Sequence, residues 1–172
     1  KLSPHSLYGS VLVMKLVMLL SEVGSLLIMK RLLLYYNLPI SRVLLYALNP
    51  LVILELTGNI HLEAVMIFFL MLSILFLVRE KLILSGIVIS LAICVKLIPL
   101  ILLPALLPRL GWKKALIYYI VVCLMTMLLF LPLLDEHILV GFQNSLSYYF
   151  KKFEFNASIY YLIRESGYLY FG

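Results

Sequence analysis

From Asn49 to Pro104 the sequence is almost wholly apolar. Apart from the turn Arg79-Glu80-Lys81, the polar groups that stand out in it are Glu55, Asn59, His61, Glu63 and Lys96. No other feature restricts the fold as much, because a spanning helix needs ~20 apolar residues and this stretch holds about twice that. A charge at the centre of an inserting helix costs about 2.5–3.5 kcal/mol. Groups retained at such depth belong in a protein-lined or water-filled cavity, and the rest of the chain then serves as the scaffold that holds this cavity in a bilayer.

Composition leads to the same class. Of the 172 residues, 65% are hydrophobic and 13% charged, and the mean hydropathy is +1.13. Soluble domains lie nearer ~45–50% apolar and ~25% charged. The expected fold is all-α, a polytopic transmembrane helical bundle in the cell membrane. The net charge of +6 does not indicate a nucleic-acid partner, because Lys and Arg fall in short clusters between apolar runs, which is the positive-inside pattern. Cys94 and Cys123 stand singly in apolar runs without a CxxC or Cys/His neighbour, and are expected to pack as small apolar residues. Lys1 is not an initiator Met, and no charged-then-apolar leader follows it. The expectation is that residues 1–172 are one transmembrane domain within a longer chain.

The order of segments can be read along the chain. Residues 7–35 predict a spanning helix with Lys15 and Glu22 on one inward face, forming an internal ion pair. Asn37, Pro39 and Ser41 make a turn. A short helix from Val43 to Leu56 carries Pro50, which should bend it or free a carbonyl, and 57–59 break it. A helix from His61 to Val78 completes a hairpin with both feet on the basic side. Residues 82–107 read either as one long tilted helix or as a second hairpin broken at Lys96–Pro99, with a return leg to Pro108. Only the broken form puts Lys30, Arg31, Arg42, Arg79, Lys81, Arg109, Lys113 and Lys114 on one side, so charge favours it. Residues 113–134 predict the cleanest spanning helix, entered by Trp112. Ile138, Phe142, Leu146 and Phe150 recur every four residues, predicting an amphipathic helix in the interface. Ile159 opens a further membrane helix.

On this topology the apex with Asn59, His61 and Glu63, then Lys96, and the loop 153–158 converge on the outer side. A Lys in low dielectric binds an anion well. His61 can donate to a phosphate oxygen or shuttle a proton, while Glu55 and Glu63 can hold hydroxyls or keep His61 charged. Together they suit a phosphorylated, hydroxyl-rich ligand with a lipid tail. Each has a plainer reading: Lys96 as an ion-pair partner of Glu55, Glu63 or Glu22, His61 as a hydrogen-bonding group, and Asn59 as a helix cap. Asn156-Ala157-Ser158 matches a glycosylation acceptor, but short matches beside membrane helices are common. His61 and Glu63 lack the second His of an HExxH zinc site, and GxGxxG, P-loop and GxSxG motifs are absent.

The run NPLVILELTGNIHLEA, a basic turn, SGIVISLAICVKLIPLILLPALL and a second basic turn together resemble the GT-C superfamily of membrane glycosyltransferases. Within it they are most similar to the polyprenol-phosphate-mannose-dependent alpha-mannosyltransferases, with the GPI mannosyltransferases more distant. FEFNASIYYLIR resembles that branch's Asn-x-Ser loop and following helix with an Arg, here Asn156, Ser158 and Arg164. The likeness covers residues 40–165.

The resemblance implies inverting transfer of a sugar, mannose in that branch, from a polyprenyl-phosphate-linked donor. The acceptor is a hydroxyl of a glycan or glycolipid on the extracytoplasmic face, and membrane lipid is the remaining partner. It places His61, Glu63, Lys96 and Asn156 around the donor or acceptor pocket, beside Glu55 and Asn59 from the chemistry above. In this superfamily the catalytic carboxylate lies in the first outer loop, which is expected upstream of Lys1; Asp135 and Glu136 belong to a later loop. No cofactor or metal is called for. Two other classes fit the apolar frame: a secondary transporter or lipid flippase, which shares broken helices at membrane depth, and a non-catalytic membrane subunit.

Overall fold

The computed structural model describes residues 7–54, 61–133, 141, 144 and 158–171. The amphipathic helix expected over 138–150 falls largely outside them, as do Glu55, Asn59 and Asn156. The described residues are helical and contain no strand. The chain divides into two compact units, Lys1–Phe130 and Leu131–Gly172.

The first unit contains α1 (Leu7–Tyr35), α2 (Val43–Ala47), α3 (Glu63–Val78), α4 (Leu82–Val95) and α5 (Leu103–Phe130). Helix α1 runs parallel to α3: Met18 packs with Ala64 at one end, and Ile28 and Leu32 pack with Leu75 towards the other. The two helices approach closely at Gly24, where an added Cβ would lie 2.5 Å from the Phe68 ring. Small residues at such crossings let helices meet where lipid gives no hydrophobic drive to associate. Helix α4 returns antiparallel to α3 after a tight turn in which Glu80 takes a positive φ of 58°.

The segment after α4 follows the broken reading of residues 82–107. Lys96 is extended, at φ −157° and ψ 138°. A 3-10 turn over Ile98–Leu102 follows, with Pro99 near its start. Within α5, Gly111 leaves helical geometry at φ 73° and ψ 160°, so residues 103–110 and 112–130 are two legs. The first leg runs back along α4; the second runs parallel to it, with Ser85 near Tyr118 and Ser90 near Val122. Arg109 reaches the Tyr36 hydroxyl beyond the end of α1. The ends of α1 and α3, the turn at Lys81 and the Gly111 reversal therefore share one end, and this end carries Lys30, Arg31, Arg79, Lys81, Arg109, Lys113 and Lys114.

The surface is inverted relative to a soluble protein. Leu16, Leu19, Leu20 and Leu27 of α1, with Leu116, Ile120, Leu124 and Met127 of α5, point outwards. Ser21, Glu22, Ser25, Ser73, Ser85 and Ser90 are buried. Exposed apolar area on this scale marks a membrane surface. Two helices, Tyr8–Tyr35 and the stretch Ile98–Phe130 that includes the Gly111 break, are long and apolar enough to cross a bilayer. The chain is an all-α membrane bundle. At about 1.5 Å per residue α3 and α4 reach only roughly 24 and 21 Å, short of a ~30 Å hydrocarbon core.

Three expectations need correction. Helix α2 stops at Ala47, and Pro50 opens a new helical turn over residues 50–54 instead of bending a continuous helix. The Asn49 side chain accepts from the Leu51 amide at 3.0 Å, an arrangement in which Pro costs no hydrogen bond. Lys15 and Glu22 do not pair: Lys15 is exposed, whereas Glu22 is buried and accepts a hydrogen bond from Tyr46. Cys123 is exposed on α5 rather than packed inside, and Cys94 is half-buried.

In the second unit a 3-10 turn spans Leu131–Leu133, and α6 spans Ser158–Phe171. Arg164 and Glu165 form an ion pair at 3.6 Å, and Tyr168, Leu169 and Tyr170 are exposed.

Candidate functional site

Antiparallel pairing of α3 and α4 brings the start of one beside the end of the other, at the end of the unit away from the Lys and Arg clusters. The polarity of each helix end matches the residue placed there. Glu63 occupies the first turn of α3, where the helix N-terminus favours negative charge. Lys96 follows the last residue of α4, where the C-terminus favours positive charge. The Lys96 amide still donates to the Ala92 carbonyl at 3.1 Å, so the helix holds up to that amide and breaks at the extended Lys96 backbone.

Glu63 joins the group together. One of its carboxylate oxygens, Oε1, accepts from Lys96 Nζ; the other, Oε2, lies 3.3 Å from His61 Nδ1. The His61, Glu63 and Lys96 side chains are 48%, 28% and 44% exposed. An ion pair this accessible contributes about 0.2–1 kcal/mol to stability, too little to explain two charges kept between apolar helices. A ligand can reach all three. The group offers one fixed cation, one imidazole and one carboxylate on a rim that adjoins apolar helix faces.

Of the six residues expected to bind substrate, the structure brings together His61, Glu63 and Lys96. Glu55, Asn59 and Asn156 lie outside the described residues. Among the described residues no three of His, Cys, Asp or Glu gather to hold a metal ion.

The comparison with protein families bears on residues 1–111, which match the MptA_B family model, described as alpha-(1->6)-mannopyranosyltransferase, N-terminal domain. The matched stretch is well over half of the 172 residues. The chain belongs to the alpha-(1->6)-mannopyranosyltransferase family. Neither a curated protein nor a solved structure matches it. The mannosyltransferase match takes in α1 to α4, the whole His61–Glu63–Lys96 group and the return leg as far as the Gly111 reversal, whereas Asn156 lies beyond it.

Two polar groupings of this mannosyltransferase domain were not assigned from the sequence. Tyr46 donates its hydroxyl to Glu22 Oε1 at 3.2 Å, tying α2 to the middle of α1. Ser73 and Ser85 face each other across α3 and α4 with their hydroxyls 2.8 Å apart, and the Tyr118 hydroxyl lies 3.2 Å from Ser85 and 3.4 Å from Ser73. The available signal was the serines set in two otherwise apolar helices, Ser73 in α3 and Ser85 and Ser90 in α4, since a hydroxyl in lipid seeks a partner on a neighbouring helix.

Proposed function

We propose that this mannosyltransferase domain helps move mannose from a polyprenyl-phosphate-linked donor to a hydroxyl of a glycan or glycolipid acceptor on the extracytoplasmic face. The observation that carries the reading is Glu63 bridging Lys96 and His61 where two helix breaks meet, opposite the basic end. The positive-inside rule orients the basic end towards the cytoplasm, which turns the His61–Glu63–Lys96 group outwards.

In the transfer the bond between the sugar's anomeric carbon and the phosphate oxygen breaks, and a bond from the acceptor oxygen to that carbon forms on the opposite face. Positive charge develops on the sugar, as in glycoside hydrolysis. The acceptor's proton leaves to a carboxylate acting as the base. Lys96 holds the departing phosphate, and a fixed cation at developing negative charge lowers the barrier directly. His61 donates to a second phosphate oxygen. Glu63 orients both, since a phosphate arriving at Lys96 leaves its carboxylate to His61. Asn59, Glu55 and Asn156 are proposed to hold sugar or acceptor hydroxyls, and the polyprenyl tail lies along the apolar helix faces.

The test is mannose transfer from a polyprenyl-phosphate-mannose donor by the full-length protein in lipid. Lys96→Ala is expected to lower kcat about 10²–10³-fold, the usual loss on removing one transition-state stabiliser. Lys96→Arg should recover part of the rate, because it restores the charge. Full activity in Lys96→Ala would remove the site from the reaction.

A further inference from the structure

At the basic end a groove of about 310 Å³ lies between α3, α4 and the return leg of α5. It falls within the size range of small-ligand sites, about 300–1,000 Å³. Its walls include Leu70, Ile74, Leu77, Ala105 and Leu106, and Arg109 is the charged residue lining it. Along α3 it extends from Leu70 to Val78, which at about 1.5 Å per residue is roughly 12 Å. Arg109 Nη2 donates to the Tyr36 hydroxyl at 3.3 Å, and both side chains remain exposed. Arg79, Lys81, Lys113 and Lys114 lie at the same end, with Glu80 as the acid in the same turn as Arg79 and Lys81.

We propose that this groove binds one anionic phospholipid, with an acyl chain along Leu70–Val78 and its phosphate on Arg109 and Tyr36. Charge complementarity selects this occupant. A guanidinium fork matches two phosphate oxygens, and Tyr36 can turn its hydroxyl to donate to a third. Basic pockets between membrane helices on the positive side are suited to anionic headgroups. The site lies at the other end of α3 and α4 from the His61–Glu63–Lys96 group, so it stands or falls independently of the transfer reaction.

The experiment is native mass spectrometry of the full-length protein released from detergent containing equal phosphatidylglycerol and phosphatidylcholine. Wild type is expected to retain one phosphatidylglycerol in preference to phosphatidylcholine. Arg109→Gln should weaken that retention tenfold or more, and Tyr36→Phe by a smaller factor. Ala105→Phe, which fills the groove from a partly open wall without removing a core side chain, should abolish it. Circular dichroism of each variant establishes that the helices persist. Equal retention of the two lipids, unchanged retention in Arg109→Gln with its fold intact, or displacement of phosphatidylglycerol by equimolar polyprenyl phosphate would each overturn the proposal.

Discussion

Tyr119 donates its hydroxyl to the Leu103 carbonyl at 2.8 Å, across 16 positions of the chain. In a straight helix those residues would stand roughly 24 Å apart. The bond exists because Gly111 reverses the backbone between them, so one apolar stretch becomes two antiparallel legs. The first leg covers α4 and carries Arg109 to the basic end; the second continues as the long helix that shields Ser85 and Ser90. A separate break at Lys96, extended at φ −157° and followed by the 3-10 turn over Ile98–Leu102, places the Lys96 side chain beside Glu63.

Gly111 takes φ 73° and ψ 160°, a region that L side chains enter at a cost of about 1–3 kcal/mol. Nothing lies within 4 Å of where its Cβ would be, so the cost is strain in the backbone and not a clash. Gly111→Ala is expected to lower the Tm of the purified protein by roughly 2–10 °C in a thermal melt. An unchanged Tm would mean that the backbone at 111 is not as described.

Tyr46→Phe removes the hydroxyl that Glu22 accepts from and leaves a buried carboxyl without it. Losing one partner of a buried polar pair costs about 1–3 kcal/mol. Glu22→Gln keeps an acceptor for the Tyr46 hydroxyl and is expected to be the milder change. The measurement is the Tm of both variants in one detergent, and the reverse order would separate Glu22 from Tyr46.

Ser85 donates to the Ser73 carbonyl at 2.9 Å as well as facing the Ser73 and Tyr118 hydroxyls. Hydrogen bonds between membrane helices average about 0.6 kcal/mol and reach about 1.7 kcal/mol. Ser85→Ala should therefore cost about 1 kcal/mol. Combined with Ser73→Ala, it should cost less than the sum, because the two share one network. Strict additivity in a double-mutant cycle would show that the hydroxyls act separately.

Short-range chemistry was enough to recover the membrane class, the long first helix, the end of the next long helix at Arg79–Lys81 and the convergence of His61, Glu63 and Lys96. Apolar run length, Pro and Gly breaks and clusters of Lys and Arg are properties of neighbouring residues, and lipid enforces them with few alternatives. Apolar run length alone left open whether residues 82–107 turn back, because an apolar run reads alike in one long helix and in two short ones, and only the Lys and Arg clusters favoured the turn. Contacts between distant residues decide that: Arg109 with Tyr36, and Leu106 and Leu110 packed against the Ile89 and Ile93 cluster of α4.

Partner choice was also beyond local reading. Spacing of seven put Lys15 and Glu22 on one face, yet Tyr46 arrives from α2 to take Glu22, and Lys15 turns outwards. Which of several nearby carboxylates meets Lys96 likewise follows from the register of α3 against α4. A helix sequence shows which groups need partners. Only the packing of the other helices brings a particular partner within reach, because hydrogen bonds and ion pairs fade over a few ångströms.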